Sequence, residues 1–258
     1  MKKSNNLTSN LFQVLSFGLI FGSLISAAYG QRGKLTVISD GRAETINSEV
    51  TKAEEEFIEK EVRKKESQIR KINDMCEEDE FFSFSLSGVA SGSFTRPKAV
   101  QKAYLYELCR SNIEMGIGGI LIVENRNVIA HYIYGENGLD DDITILPDID
   151  QNGLSEIVLS GAWVGQGYIF RSVEILELTQ RGIKFFGGAR TFEDSSGAAN
   201  PTNHPVKAFK IAVKSGRIPV YFREKYVQKE FEEKWELTKK LQKFSLDKEV
   251  VPKYYRIT

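Results

Sequence analysis

The sequence predicts a mainly β fold of antiparallel hairpins and meanders, with an N-terminal amphipathic helix and a C-terminal helical segment. Three observations predict it. Between residues 77 and 222, short apolar stretches alternate with period two and are cut by turns rich in Gly, Asn and Asp. Before them, from Asn47 to about Met75, Val50, Ala53, Phe57, Ile58, Val62, Ile69 and Ile72 recur mostly three, four or seven residues apart, the stripe of an amphipathic helix. After them, from Arg223, a charged stretch carries Val227, Phe231, Trp235, Leu237 and Leu241, which reads as helix with a return to strand between Leu241 and Ile257.

The chain divides accordingly into residues 1–30, 31–76, 77–222 and 223–258. Residues 1–30 have the form of a secretory signal, with Lys2 and Lys3 at the start, an apolar stretch from Leu11 to Ala27, and Ala28 and Gly30 placed for cleavage before Gln31. An uncleaved anchor is the rival reading, since a span needs ~20 apolar residues; Gln13, Ser16, Ser23 and Ser26 favour cleavage, which leaves no membrane span in the mature chain. The expected location is therefore secreted or periplasmic. Lys2 and Lys3 are the only charges in the signal, so the mature chain keeps 33 of 35 basic residues against 35 acidic ones. That balance argues against nucleic acid as a partner, which binds through dense positive charge. Cys76 and Cys109, in an exported chain, are a candidate disulfide worth about 3–4 kcal/mol on the chain-entropy model; two free thiols are the alternative.

In the helical region Asn47 or Ser48 is the expected N-cap, with Glu49 in the first turn where the helix dipole favours an anion. The stripe is interrupted near Lys60 and Lys65, so docking on its own domain, or a solvated stalk, is preferred to self-association as a coiled coil. Phe82 to Leu86 then alternates and opens the β region, and Ala99 to Cys109 fits a strand or a helical turn. Gly116, Gly118 and Gly119 lack the Lys and Ser/Thr of a phosphate loop and mark a strand entry or bulge. Ile120–Val123 and Val128–Tyr134 form a hairpin, as do Ile169–Leu178 with Ile183–Phe192 and Val206–Val213 with Ile218–Phe222.

Chemistry concentrates in Asp148, Asp150, Asn152, Leu154 and Glu156. Asp148, Asp150, Asn152 and Glu156 put side-chain oxygens at loop positions one, three, five and nine, Gly153 sits at position six for the turn, and the carbonyl of Leu154 is at position seven. This is the donor set a hard cation needs, and calcium is the expected ion, in a structural role. Position twelve is Leu159 instead of the bidentate Glu of an EF-hand, and strand-like Ile143–Leu146 and Ile157–Leu159 flank the loop instead of helices. Without a metal, the same Asn-Gly step makes a good turn.

The pattern from Asp148 through Glu156, Ile157, Val158 and Leu159 to Gly161 and Ala162 is similar to one FG-GAP or VCBS repeat of integrin-type β-propellers. The resemblance implies calcium held by Asp148, Asp150, Asn152 and Glu156 side chains and the Leu154 carbonyl, on a propeller-blade-like unit. It covers one repeat. Trp163 stands where the family has Pro and Glu156 where it has Asp, and a full propeller of typically 4–8 blades is not implied.

No catalytic residue is assigned. The chain lacks a Gly-x-Ser-x-Gly elbow, a His-Glu-x-x-His helix and a Cys-x-x-Cys pair, and His131 reads as a sheet residue in an alternating strand. The expected function is a non-catalytic, calcium-stabilised β module, a binding or envelope-associated protein with a protein or glycan ligand. The alternatives are a hydrolase of polysaccharide or phosphate esters using Asp140 to Asp142 with the loop as an acidic cleft, and an oligomeric scaffold through residues 47–75.

Overall fold

The predicted alternation closes into two antiparallel sheets in the computed structural model, which describes residues 35–43, 49–72, 84–110, 116–135, 142–179, 182–197, 205–228, 234–248 and 254–257. In chain order the elements are β1 (Thr36–Asp40), α1 (Lys52–Arg63), α2 (Glu66–Ile72), β2 (Ser85–Gly92), β3 (Gln101–Arg110), β4 (Gly116–Glu124) and β5 (Asn127–Gly135). They continue with β6 (Asp142–Leu146), β7 (Glu156–Gly165), β8 (Tyr168–Thr179), β9 (Gly182–Asp194), β10 (Val206–Lys214), β11 (Val220–Gln228), β12 (Trp235–Phe244) and β13 (Tyr254–Ile257). The smaller sheet has the order β13–β5–β4–β3–β2; the larger runs β12–β11–β10–β9–β8–β7–β6, with β1 joined to β10. Residues 36 to 258 belong to one compact unit.

The smaller sheet is buried on both faces. Ala103, Leu105, Ile120, Ile122 and Tyr132 point to the larger sheet, where they meet Ile143, Ile157, Leu159, Leu176 and Leu178. Tyr104, Tyr106, Leu108, Leu121 and Ile133, one residue out of phase, point the other way onto Ile58, Val62 and Ile69 of the helices. Double burial makes Ala103 to Tyr106 of β3 a continuous apolar run, which is why periodicity could not separate strand from helix there. A third cluster, with Leu146, Ile149, Val158, Val173, Ile175 and Val213, covers the far face of the larger sheet.

The N-terminal helix region forms as expected, but its cap is Thr51, whose side chain and Glu54 make a reciprocal capping box; Asn47 and Ser48 lie outside the described residues. The stripe breaks into two helices at Lys64 and Lys65, near the interruption seen in the sequence. Asn125 and Arg126, with φ of 50° and 62°, join β4 to β5 in a tight two-residue turn.

Two parts of the reading are corrected. The C-terminal segment is strand: β11 pairs with β10 from Val220 to Gln228, β12 pairs with β11, and β13 pairs with β5. Val227 and Trp235 fell at helical spacing by accident, since they belong to separate strands, β11 and β12. β12 is an edge strand, largely exposed, and its Lys239, Lys240 and Lys243 resemble the polar face of a helix while serving to blunt a sheet edge. The sequence reading also passed over β1, which pairs with β10 from Thr36↔Val213 to Asp40↔Lys210. β9 reaches β10 only at Lys207 and Ala208, so β1 completes that edge.

The signal reading, Cys76, Asp140, Asp141 and His204 fall outside the described residues. Among the described residues no helix is long and apolar enough to cross a membrane.

Because Ile58 is fully buried between α1 and the smaller sheet, Ile58→Ala should cost roughly 2–5 kcal/mol. Urea unfolding checks this: the midpoint should drop with little change in slope, whereas an unchanged midpoint would mean that the helix contributes no packing to the folded unit.

Candidate cation site

The loop between β6 and β7 is held from three sides before any ion is considered. Ser155 exchanges bonds with Ser93, its amide donating to the Ser93 carbonyl at 2.8 Å and its Oγ accepting from the Ser93 amide at 3.2 Å. The Gly216 amide, in the β10–β11 turn, donates to the Ile149 carbonyl at 2.9 Å. Asn152 Nδ2 donates to Glu177 on β8. Inside the loop Asp148 accepts from the amides of Asn152 (3.0 Å) and Gly153 (2.8 Å), and Asn152 Oδ1 accepts from the Leu154 amide at 2.8 Å. Gln151 at φ 64° and Gly153 at φ 89° turn the chain, so the glycine at position six answers a backbone requirement.

This folding gathers the carboxylates that the sequence singled out. Asp148, Asp150 and Glu156 each offer an oxygen within 4.8 Å of the others. At such a separation each pair of like charges repels by roughly 3 kcal/mol at an effective dielectric near 20. Glu156 is fully buried; its Oε2 accepts from the Ile149 amide at 2.9 Å, but its Oε1 is buried with no partner. Asp150 Oδ1 is also buried without a partner, on a side chain 10% exposed. Burial, reinforced by the charges of Asp150 and Asp148, pushes the Glu156 carboxyl up to about 8 despite the Ile149 amide. It is therefore largely protonated near neutral pH unless a cation enters.

Three contributors escaped the sequence reading. Glu156 lies directly opposite Glu177 in the β7–β8 register, and Glu177 lies opposite Lys184 in β8–β9, so the three stand in one row across the sheet. Lys184 Nζ bonds Asp150 and lies 3.7 Å from Glu177 Oε2. Burial alone would lower the Lys184 ammonium, but its bond to Asp150 and the charges of Glu177, Asp150 and Glu156 raise it overall. The Tyr221 hydroxyl, buried on β11 without a partner, is pushed up by burial and by Glu156 and Asp150. The sequence held no signal that separates Glu177 from Glu174, since both interrupt the apolar residues of Val173 to Leu178.

The donor set fits a hard cation. It is all oxygen, anionic, partly buried, and keeps two carboxylate oxygens without a partner among the described residues. Asp148, Asp150 and Glu156 would bind through side chains; the Asn152 amide is drawn into the loop and toward Glu177. Asp142 stands at the other end of β6, is buried, and does not join the cluster. Searches against protein-family models, curated proteins and solved structures returned no match.

Glu156 has a sign-definite effect on stability. Its folded carboxyl holds a proton up to about 8, whereas the unfolded one releases it near 4.5. With chelator present, stability should thus be fullest below about 4.5 and fall as pH rises toward 8. Denaturant midpoints from pH 5 to 8 should show this decline, flattened in Glu156→Gln; an equal slope in both proteins would assign the titration to another group.

Proposed function

We propose that this chain is an exported, non-catalytic β module stabilised by calcium, a binding or envelope-associated protein that presents its loops on a stiffened sheet. The observation that carries the reading is the pair of buried, unpartnered oxygens, Glu156 Oε1 and Asp150 Oδ1, in a cluster with Asp148. A buried carboxylate with an unmet lone pair is costly, and a dication would turn the mutual repulsion of the cluster into attraction. The resemblance of the loop to an FG-GAP or VCBS repeat supports the choice of calcium. Export is read from the first thirty residues of the sequence.

Calcium supplies charge and extra ligation when bound; the chain contributes the rest. The Ile149 amide holds Glu156 Oε2, the amides of Asn152 and Gly153 hold Asp148, and Lys184 neutralises Asp150 in the metal-free protein. Occupation of the site requires Glu156 to lose its proton, so affinity rises with pH toward 8. Lys184 opposes the ion by charge and shares its acceptor.

Thermal unfolding with excess calcium and with chelator tests the proposal. At ~100 times the dissociation constant, calcium bound only to the folded state adds about 2.7 kcal/mol. Asp148→Ala/Asp150→Ala should lose the shift, and Lys184→Met should enlarge it at a fixed subsaturating calcium concentration. If calcium leaves the transition of the starting protein unchanged, the loop is a turn and the reading fails.

A further inference from the structure

The β7–β8 hairpin ends in a tip that the described part of the molecule leaves uncovered. Gln166 and Gly167, at φ 52° and 79°, close a two-residue turn between Gly165 and Tyr168. β6 pairs with β7 only as far as Ser160, so beyond that residue β7 has no strand on its outer edge among the described residues. No charged residue occurs from Ser160 to Phe170.

Register gives this tip two apolar faces. Trp163 lies opposite Phe170 and Gly165 opposite Tyr168 on one face, and Val164 lies opposite Ile169 on the other. Trp163 is 46% and Val164 58% exposed, and Tyr168 and Ile169 are exposed as well, so neither face is covered. Single apolar side chains are ordinary on a surface, whereas four around one turn make a patch. The first face is built as a stack, the rings of Trp163 and Tyr168 lying 5.6 and 5.8 Å from that of Phe170 at 16° and 15° to it. A Cβ on Gly165 would come within 2.6 Å of the Trp163 ring, so the glycine lets the indole lie over the end of the hairpin.

Charge begins in the next row back, with one arginine on each face. The Arg171 guanidinium lies 4.4 Å over the Phe192 ring and donates to the Ala43 carbonyl at 3.5 Å, and it has no carboxylate partner among the described residues. Arg190, opposite Ser172, lies 4.2 Å over the Phe170 ring and shares Glu193 with Lys207. Asp194, opposite Ile169, accepts from the Ser196 amide at 2.8 Å. Arg171, Arg190 and Lys207 thus outnumber Glu193 and Asp194. Arg171 stands four residues behind Gly167, about 13 Å at the rise of a strand.

An uncharged tip that carries a Trp and a Tyr, with arginines behind it on both faces, complements a phospholipid surface. Trp and Tyr favour the membrane–water interface, and interfacial elements bury their apolar residues roughly 5–10 Å deep. At that depth the two guanidiniums meet the lipid phosphates, which suit their forked donors. A groove on a protein partner would cover one face of the hairpin and leave the other wet. The open backbone edge of β7 keeps insertion shallow, because unpaired amides and carbonyls are costly in hydrocarbon.

We infer that the β7–β8 tip docks the protein on a phospholipid bilayer, with Trp163, Val164, Tyr168 and Ile169 in the interface and Arg171 and Arg190 at the phosphates. The inference deepens the envelope-associated part of the proposed function and rests on it for location alone; it does not involve the calcium loop.

The chain from Gln31 is the form to test, since it keeps the whole compact unit from Thr36 and omits the apolar stretch from Leu11 to Ala27, which would itself enter a bilayer. The probes are vesicles of phosphatidylcholine, alone or mixed with phosphatidylglycerol, titrated with chelator present. Binding to both is expected, tighter to the anionic mixture. In Trp235→Phe, which leaves Trp163 as the only tryptophan, emission should move to shorter wavelength on binding. Val164→Ser/Ile169→Ser changes exposed residues without adding charge and should weaken binding to both vesicles about ten-fold or more. Arg171→Gln should weaken binding to the anionic mixture several-fold, and circular dichroism should stay unchanged in every variant. No binding, undiminished binding in either the serine or the glutamine variant, or unshifted Trp163 emission would overturn the inference. So would a dimer that the serine variant abolishes, which would assign the tip to a second copy of the chain. Because chelator is present throughout, failure of the calcium reading leaves these outcomes unchanged, and a calcium-dependent stability shift without vesicle binding sinks the inference about the tip alone.

Discussion

A sheet with two apolar faces needs two covers, and that requirement organises this molecule. The smaller sheet cannot be left open on either side, because β3, β4 and β5 carry apolar residues in both phases. One cover is the larger sheet. The other is the pair of short helices, whose narrow stripe of Ile58, Val62 and Ile69 suffices because the large side chains come from the sheet. Short isolated helices are marginal in water, so α1 and α2 exist through this docking more than through propensity. Tyr132 also ties the layers by donating its hydroxyl to the Thr179 carbonyl at the end of β8.

Polar groups buried by such layering have few places to go, and the chain treats its two main cases differently. Tyr106 and His131 satisfy each other, at the expense of a side chain at position 119. Glu156 and Glu177 lie directly opposite in the sheet, where two ionised carboxylates would repel, and Glu156 holds a proton instead. Glu177 is relieved by Asn152 and by nearby Lys184, whereas Glu156 has backbone amides, that of Ile149 among them, and a proton. The difference is that one pair is settled by its own hydrogen bond, while the other leaves Glu156 Oε1 without a partner among the described residues.

How much was legible in the sequence follows from whether the information was local. The β6–β7 loop was legible because its donors lie within nine residues and its Gly153 marks the turn; the hairpins were legible because two-residue alternation and turn residues are local too. Glu177, Lys184 and Tyr221 were not, since only strand register brings them to the loop from 21 or more residues beyond Glu156. β12 was misread for a related reason. Its charges respond to an exposed sheet edge, and edge position is a property of the assembled sheet. His131 was rightly placed in a strand, but its partner Tyr106 and the role of Gly119 between them are cross-strand facts.

The loop's tethers also bear on what a change in its charge could do elsewhere. Ser155 fastens it to the connection between β2 and β3, Ile149 to the turn between β10 and β11, and Asn152 to β8. These three segments belong to both sheets and are far apart in sequence. Repulsion among Asp148, Asp150 and Glu156 acts on all of them at once, because the loop cannot expand without loosening a bond to each. Glu156 adds a stricter link, since it is the first residue of β7, whose next three residues, Ile157, Val158 and Leu159, belong to the clusters on both faces of the larger sheet. Neutralising the cluster, by a proton, by Lys184 or by the proposed ion, therefore acts on the core through β7, and the tightest of the three should draw the ends of β2, β8 and β10 most firmly together.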